Sequence, residues 1–250
     1  MRDASKTLEG RRVIVTGGAR GLGAAFVRAL VDQGARVAFG DVLHDEGEAL
    51  ARDLHDAHFF ALDLNDPQSI DEFVEQSAHA LGGIDALINN AAITHSGGKS
   101  ADELTPQTWD AVMNVNVRGT WLMSVACLPH LKASGRGAIV NIASDTALWG
   151  APKLLAYVAS KGAVIAMTRS LAREFGAGNV TVNAIAPGLT EVEATAYVPP
   201  ERHEYYLKGR ALTRAQVPDD VNGPVLFLLS DAARFVTGQL LPVNGGFVMN

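Results

Sequence analysis

Short apolar runs alternate along this chain with longer stretches whose apolar residues recur every three or four positions. Residues 12–16, 36–41, 58–62, 86–90, 138–144 and 181–186 are rich in Val and Ile or continuously apolar, as strands buried on both faces are. Between them, 22–33, 45–55, 67–81, 106–132 and 152–175 carry the period of amphipathic helices. A seventh strand fits 239–243. Strand–helix alternation at this spacing predicts an α/β fold, with a parallel sheet covered by helices on both faces. No repeat, low-complexity tract or long linker interrupts the pattern, so residues 1–250 are expected to form one domain.

One segment breaks the rhythm. Residues 191–217 carry Pro199-Pro200, the rings of Tyr197, His203, Tyr205 and Tyr206, and several basic side chains. They follow a strand's carboxyl end, where open α/β sheets bind ligands, and are expected to form a substrate lid.

Composition narrows the classes of function. With 250 residues, 48% of them hydrophobic, the chain can bury a full core. A charged fraction of 19% argues against disorder, and a net charge of −6 offers no basic footprint for nucleic acid or an anionic membrane. The first ten residues lack the apolar core of a signal peptide, and no apolar run approaches the ~18 residues of a membrane helix. Cys127 is the only cysteine, which excludes an intrachain disulfide. The pairs His55/His58 and Cys127/His130 lack the ligand set of a zinc site, so no metal is expected. A soluble cytoplasmic protein with a small-molecule partner is expected.

Two stretches carry chemistry. Thr16-Gly17-Gly18-Ala19-Arg20-Gly21-Leu22-Gly23 joins the first strand to the first helix. Glycines there allow a tight turn and close backbone approach to a pyrophosphate at a helix N-terminus. Asp41 closes the second strand, where a carboxylate accepts hydrogen bonds from a ribose diol and repels a 2′-phosphate, favouring NAD over NADP. Arg20 pulls the other way, since a guanidinium accommodates that phosphate. Tyr157 and Lys161 lie one helical turn apart on one face, so the ammonium can favour the phenolate of a group whose ordinary pKa is about 10.

With these elements in place the chain resembles the short-chain dehydrogenase/reductase family, from Arg11 to Gly246. The resemblance implies a Rossmann-like three-layer α/β/α sandwich with a mostly parallel seven-stranded sheet. Thr16 to Gly23 resembles the family's cofactor turn, implying cofactor contacts from Gly17, Arg20, Gly21, Leu22 and Gly23. Asp63-Leu64 matches the pair that contacts adenine, and Asn89-Asn90-Ala91-Ala92 is similar to the N-N-A-G motif, implying that Asn89 and Ala91 line the adenosine side. The active-site asparagine falls on Asn116, the serine on Ser144, and Y-x-x-x-K on Tyr157 and Lys161. Pro187-Gly188 resembles the nicotinamide-side motif and puts Thr190 near the carboxamide. Asn244-Gly245-Gly246 resembles the C-terminal D-G-G. Three departures stand out: Ala92 replaces glycine, Val192 stands where many members carry threonine, and Asn244 replaces aspartate.

The resemblance assigns roles that the chemistry suits. Oxidising an alcohol removes its hydroxyl proton as hydride leaves carbon for the nicotinamide. Tyr157 is the implied general base, and general acid in reverse. Lys161 lowers its pKa and holds the nicotinamide ribose, Ser144 donates a hydrogen bond to the substrate oxygen, and Asn116 positions a water in a proton relay. His95, Ala147, Trp149, Leu154 and Tyr197 are candidates for the substrate pocket, whose apolar and aromatic lining suits a cyclic, aromatic or medium-chain alcohol or ketone. Trp149 and Leu154 equally suit bulk packing. Family resemblance and the long helices also imply a homotetramer. The alternative function is a non-catalytic dinucleotide-binding sensor or scaffold, which has no need of Asn116, Ser144, Tyr157 and Lys161 together.

Overall fold

In the computed structural model, which describes residues 6–94 and 98–249, the strands are β1 (Arg12–Thr16), β2 (Arg36–Asp41), β3 (Ala57–Ala61), β4 (Ala86–Asn89), β5 (Ala138–Ile142), β6 (Thr181–Pro187) and β7 (Leu240–Val243). The helices are α1 (Gly21–Asp32), α2 (His44–Asp53), α3 (Pro67–Leu81), α4 (Pro106–Met113), α5 (Thr120–Ala133), α6 (Thr146–Trp149), α7 (Leu155–Phe175), α8 (Pro200–Gly209) and α9 (Pro218–Leu229). The seven strands form one sheet in the order β3-β2-β1-β4-β5-β6-β7. Every pairing is parallel, so the sheet is wholly rather than mostly so.

Alternation along β1 divides the interior into two layers. Val13 and Val15 pack with Phe26, Val27 and Leu30 of α1 and with Val221, Val225 and Leu228 of α9. Ile14 packs on the other side with Phe73 of α3, Met123 of α5 and Phe175 of α7. Residues of β4, β5 and β6 are buried at every position, which is why these strands read as continuous apolar runs. Helices thus cover both faces, giving a Rossmann-like α/β/α sandwich. The strand order reverses between β1 and β4, and a crevice at their carboxyl ends is the ligand position such sheets provide.

Four expectations need correction. The helix expected over 106–132 is broken by a π-helical turn, Asn114–Gly119, between α4 and α5. Asn116 sits in that turn with its amide bonded to the Ile93 backbone, and local widening of this kind marks functional sites. The helix expected over 152–175 begins only at Leu155, after the separate short α6. The segment 191–217 contains a regular helix, α8, opened by the Pro199-Pro200 pair that had read as loop. Finally, α9 was not foreseen, because Pro224 sits inside it and masks its period. Its Val221, Val225, Leu228 and Leu229 are core.

Candidate active site

The glycine turn has the geometry expected of it. Gly17 and Gly21 take positive φ values of 66° and 57°, which side chains rarely adopt. A Cβ on Gly23 would collide with the Gly17 carbonyl oxygen. No side chain caps the N-terminus of α1, and its first turn holds no acid, so its leading amides and the positive end of its dipole are offered outward. Asp41 hangs beside this turn at the end of β2. Its Oδ2 accepts from the Ala19 amide at 3.1 Å and its Oδ1 from the Leu43 amide at 3.2 Å. Arg20 and Val42 are exposed.

Asn90, a residue given no separate role from the sequence, fixes the turn. Its Nδ2 donates to the Thr16 and Gly17 carbonyls at 3.0 and 2.9 Å, while Thr16 Oγ1 accepts from the Asn90 and Ala91 amides. The signal lay in the doubled asparagine, since only one of the pair can face sideways along the sheet. Asn89 does so, donating to Asn141 Oδ1 at 2.9 Å and Ser124 Oγ at 3.1 Å, with its own Oδ1 buried and unpaired among the described residues. Ala91 is half-buried beside Gly17. Asp63 is exposed and its Oδ1 accepts from Asn65 in a local turn, whereas the Leu64 side chain is core. Pro187 and Gly188 end β6, and buried Thr190 donates through Oγ1 to the Gly188 carbonyl at 3.1 Å.

Between the turn and the segment after β6 lies a cleft of about 610 Å³ lined by Gly21, Glu191, Val192, Glu193, Thr195, Ala196, His203 and Pro218. An uncapped helix N-terminus and a glycine turn that opens on this cleft at Gly21, with the Asp41 carboxylate held on the same turn, fit a dinucleotide. Leu22 and Gly23 belong to that N-terminus, whose donors would meet the pyrophosphate, and Asp41 the ribose diol.

Ser144, Tyr157 and Lys161 meet at the carboxyl end of β5. Ser144 is hydrogen-bonded to the Tyr157 phenol. Its Oγ accepts from the Thr146 hydroxyl at 2.9 Å, which leaves the serine proton free to be donated. Lys161 is buried, and its Nζ donates to the Ile142 carbonyl at 2.6 Å while standing 5.6 Å from the Tyr157 ring centroid. Burial brings the Lys161 pKa down to about 8. Burial also raises the Tyr157 pKa well above the ordinary tyrosine value, an effect opposed by the Ser144 bond and reinforced by Tyr197 and Asp145. The lysine ammonium is thus turned to the strand-end carbonyl in the protein alone. Asn116 is buried, donating to Ser160 Oγ at 3.0 Å, so it braces the residue next to Lys161.

The expected pocket residues separate into two groups. Tyr197 reaches across from the 191–217 segment, and its hydroxyl donates to the Thr94 carbonyl at 3.0 Å. His95 lies outside the described residues. Trp149 packs with Tyr205, Tyr206 and Phe247, its Nε1 donating to the Tyr206 hydroxyl at 3.2 Å, and so serves a cluster rather than an open lining. Ala147 and Leu154 are half-buried, Ala147 against Val164 and Ala184. Tyr206 stacks on Phe247 with centroids 4.3 Å apart, a pairing the sequence did not signal because the two come from distant segments.

Comparison with known proteins finds matches over nearly the whole chain. Residues 17–248 match the family model described as Enoyl-(Acyl carrier protein) reductase. A 3-alpha-(or 20-beta)-hydroxysteroid dehydrogenase of Mycobacterium tuberculosis is 38% identical over 245 residues, covering 98% of this chain and 92% of that one. A probable galactose dehydrogenase of Rhizobium meliloti is 35% identical, covering 96% and 95% of the two chains. A 3-oxoacyl-[acyl-carrier-protein] reductase of Thermotoga maritima is 34% identical, covering 97% and 99%.

Proposed function

The chain belongs to the short-chain dehydrogenase/reductase family and is an oxidoreductase of alcohols and ketones, and from that membership we propose its particular reaction. It interconverts a secondary alcohol, cyclic or aromatic, and its ketone with a nicotinamide dinucleotide, NAD in preference to NADP. The observation that carries this reading is the meeting of Ser144, Tyr157 and Lys161 at the end of β5, the strand between β4 and β6 in the sheet.

The bound nicotinamide supplies the hydride acceptor and donor. In oxidation Tyr157 takes the hydroxyl proton and in reduction returns it. Ser144 steadies the substrate oxygen with the proton that Thr146 leaves free. Working near pH 7 rather than 10 requires about 4 kcal/mol of preference for the phenolate. Lys161 contributes by turning from the Ile142 carbonyl toward the phenol and the cofactor ribose, and Asn116 holds the water through which it exchanges protons with solvent. Glycines 17, 21 and 23 with Arg20 and Leu22 hold the pyrophosphate, Asp41 the adenosine ribose, Asp63, Leu64, Asn89 and Ala91 the adenine side, and Pro187, Gly188 and Thr190 the nicotinamide side. Residues 191–217 act as a lid on a single catalytic domain, with Tyr197 facing the substrate. Relatives named for hydroxysteroids and galactose support a ring-borne hydroxyl.

The protein works as a soluble cytoplasmic homotetramer. Trp121 and Val125 of α5 are 49% and 45% exposed, and Phe227 of α9 and Leu241 of β7 are 45% and 40% exposed, apolar surface suited to symmetric contacts. No helix among the described residues is long and apolar enough to cross a membrane. A panel of ring alcohols, aryl ketones and 3-oxoacyl thioesters, each assayed with NAD and NADP, tests the reaction. Cofactor binding without turnover on any member would favour the sensor or scaffold alternative, and a concentration-independent monomer in sedimentation would remove the tetramer.

A further inference from the structure

Next to Ser144 stands a carboxyl group that the reaction described above does not use. Asp145 is wholly buried, with its amide donating to the Pro187 carbonyl at 3.0 Å and its carbonyl accepting from the Leu148 amide at 2.8 Å. It occupies the N-cap position of α6, where an aspartate ordinarily accepts from the helix's own first amides. Here its side chain makes no such bond. It turns instead to the 191–217 segment, where Oδ1 accepts from the Tyr206 hydroxyl of α8 at 2.8 Å. That hydroxyl accepts from Trp149 Nε1, and the Tyr206 ring lies between Phe247 and the Arg210 guanidinium, whose Cζ is 5.1 Å from its centroid. The second carboxyl oxygen, Oδ2, is buried with no close hydrogen bond of its own, and the Asn244 and Trp149 side chains bear on the carboxyl as weaker donors.

Such a group is costly, since a buried carboxyl forgoes hydration that a valine would never have needed. Its neighbours say what it does. On α6 it meets Trp149, on α8 Tyr206 with Arg202 beyond (5.2 Å from the Trp149 ring), after α8 Arg210, near the C-terminus Asn244, and on α7 the field of Tyr157. Burial pushes its pKa up to about 6, against the pull of Tyr206 and Arg210. Its negative charge in turn opposes ionisation of Tyr157.

We infer that Asp145 is a positioning residue that seats α8 against the Ser144 end of β5 through Tyr206 and, as the residue after Ser144, brings a negative charge to bear on the Tyr157 to which Ser144 is bonded. The inference rests on the reading of Tyr157 as the acid/base group. Its two arms can be read separately. Tyr206→Phe removes the clasp bond and keeps the ring. Trypsin cleavage at Arg202 and Lys208 under native conditions reports how often α8 lifts, and should quicken about two- to twelvefold, the worth of one buried hydrogen bond. Asp145→Asn keeps an oxygen to accept from Tyr206 but removes the charge. It should quicken cleavage less than Tyr206→Phe does, since a neutral bond remains, and move the ascending limb of kcat/KM for alcohol oxidation about one unit to lower pH. Wild-type cleavage rates in Tyr206→Phe would overturn the clasp, and an unmoved limb in Asp145→Asn would overturn the charge role. Proteolysis needs no turnover, so an enzyme inactive on every alcohol would sink the proposed reaction while leaving the clasp decided. Were Asp145→Asn to misfold, Tyr206→Phe alone would still decide it.

Discussion

Exchange of Asp41 for asparagine isolates one charge at the edge of the cofactor cleft. The carboxylate is half-buried and each oxygen already accepts one backbone amide, from Ala19 and from Leu43, so it is held in place with lone pairs remaining for a ribose diol. Asparagine keeps one of these acceptors and loses the charge. A 2′-phosphate carries close to two negative charges, and at about 5 Å its repulsion from a carboxylate is about 1.5 kcal/mol in water and several-fold more at a partly dry site. The charge-assisted bonds to NAD add about 1.5–3 kcal/mol each. With the repulsion largely screened at this open site, one or two such bonds give wild type a ten- to several-hundred-fold preference for NAD in kcat/KM. Asp41→Asn should therefore lose NAD efficiency and gain NADP efficiency together, with exposed Arg20 available to meet the phosphate. The assay is initial rate of nicotinamide reduction with each cofactor at two ionic strengths. Wild-type activity equal or better with NADP would show that Arg20, not Asp41, sets the preference.

Tyr157→Phe keeps the ring and removes the hydroxyl, so kcat should fall about 10²–10⁴-fold with calorimetric cofactor affinity unchanged; turnover near wild type would exclude it as the acid/base group. Lys161 is folded at a cost: its pKa, brought from 10.5 to about 8 by burial, means that stability lost to it appears as pH falls through 10.5 and is fully felt below 8. Lys161→Met should abolish turnover and weaken cofactor binding yet raise unfolding free energy at pH 7 by about 2 kcal/mol, some 3 from relieved desolvation less about 1 for the Ile142 bond. A less stable variant would contradict this. Asp85 is the reverse case: burial alone would raise its pKa, but bonds from Arg12 and Arg136 hold it at about 2. Its contribution is present above pH 3.8 and lost as pH falls through 2, so Asp85→Asn should cost about 2 kcal/mol in urea unfolding at pH 7 and almost nothing near pH 2.

The sheet was legible because its strands are buried on both faces and leave no room for polar residues. The bounds of β1 and β2 agree to the residue, and those of β3 are displaced by one. What escaped was decided by contacts distant in sequence. Asn116 opens a π-turn because a backbone segment before α4 offers it both a donor and an acceptor, and nothing local in 114–119 announces that. In α9, Pro224 hid a helix that the core nonetheless completes with Val221, Val225, Leu228 and Leu229. Of the site, the residues with a motif were legible. Those held only by partners from elsewhere, such as Asp145 with Tyr206, were not.

Asp41, Lys161 and Asp145 show why the motif residues alone do not describe this site. Lys161 and Asp145 are buried charges and Asp41 a half-buried one, and each is answered differently. Backbone amides answer Asp41 and a strand-end carbonyl answers Lys161, so those charges are fixed by the sheet itself. Asp145 is answered by a hydroxyl from α8, the one element of the three that is not tied into the sheet. Rigid answers suit groups that bind and orient, because orientation is lost if the anchor moves. An answer on a separate helix makes the charge beside Ser144 depend on whether that helix is seated. On the inference drawn above, the bond that seats α8 would also alter the charge felt by Tyr157, linking the position of that helix to the chemistry through a single side chain.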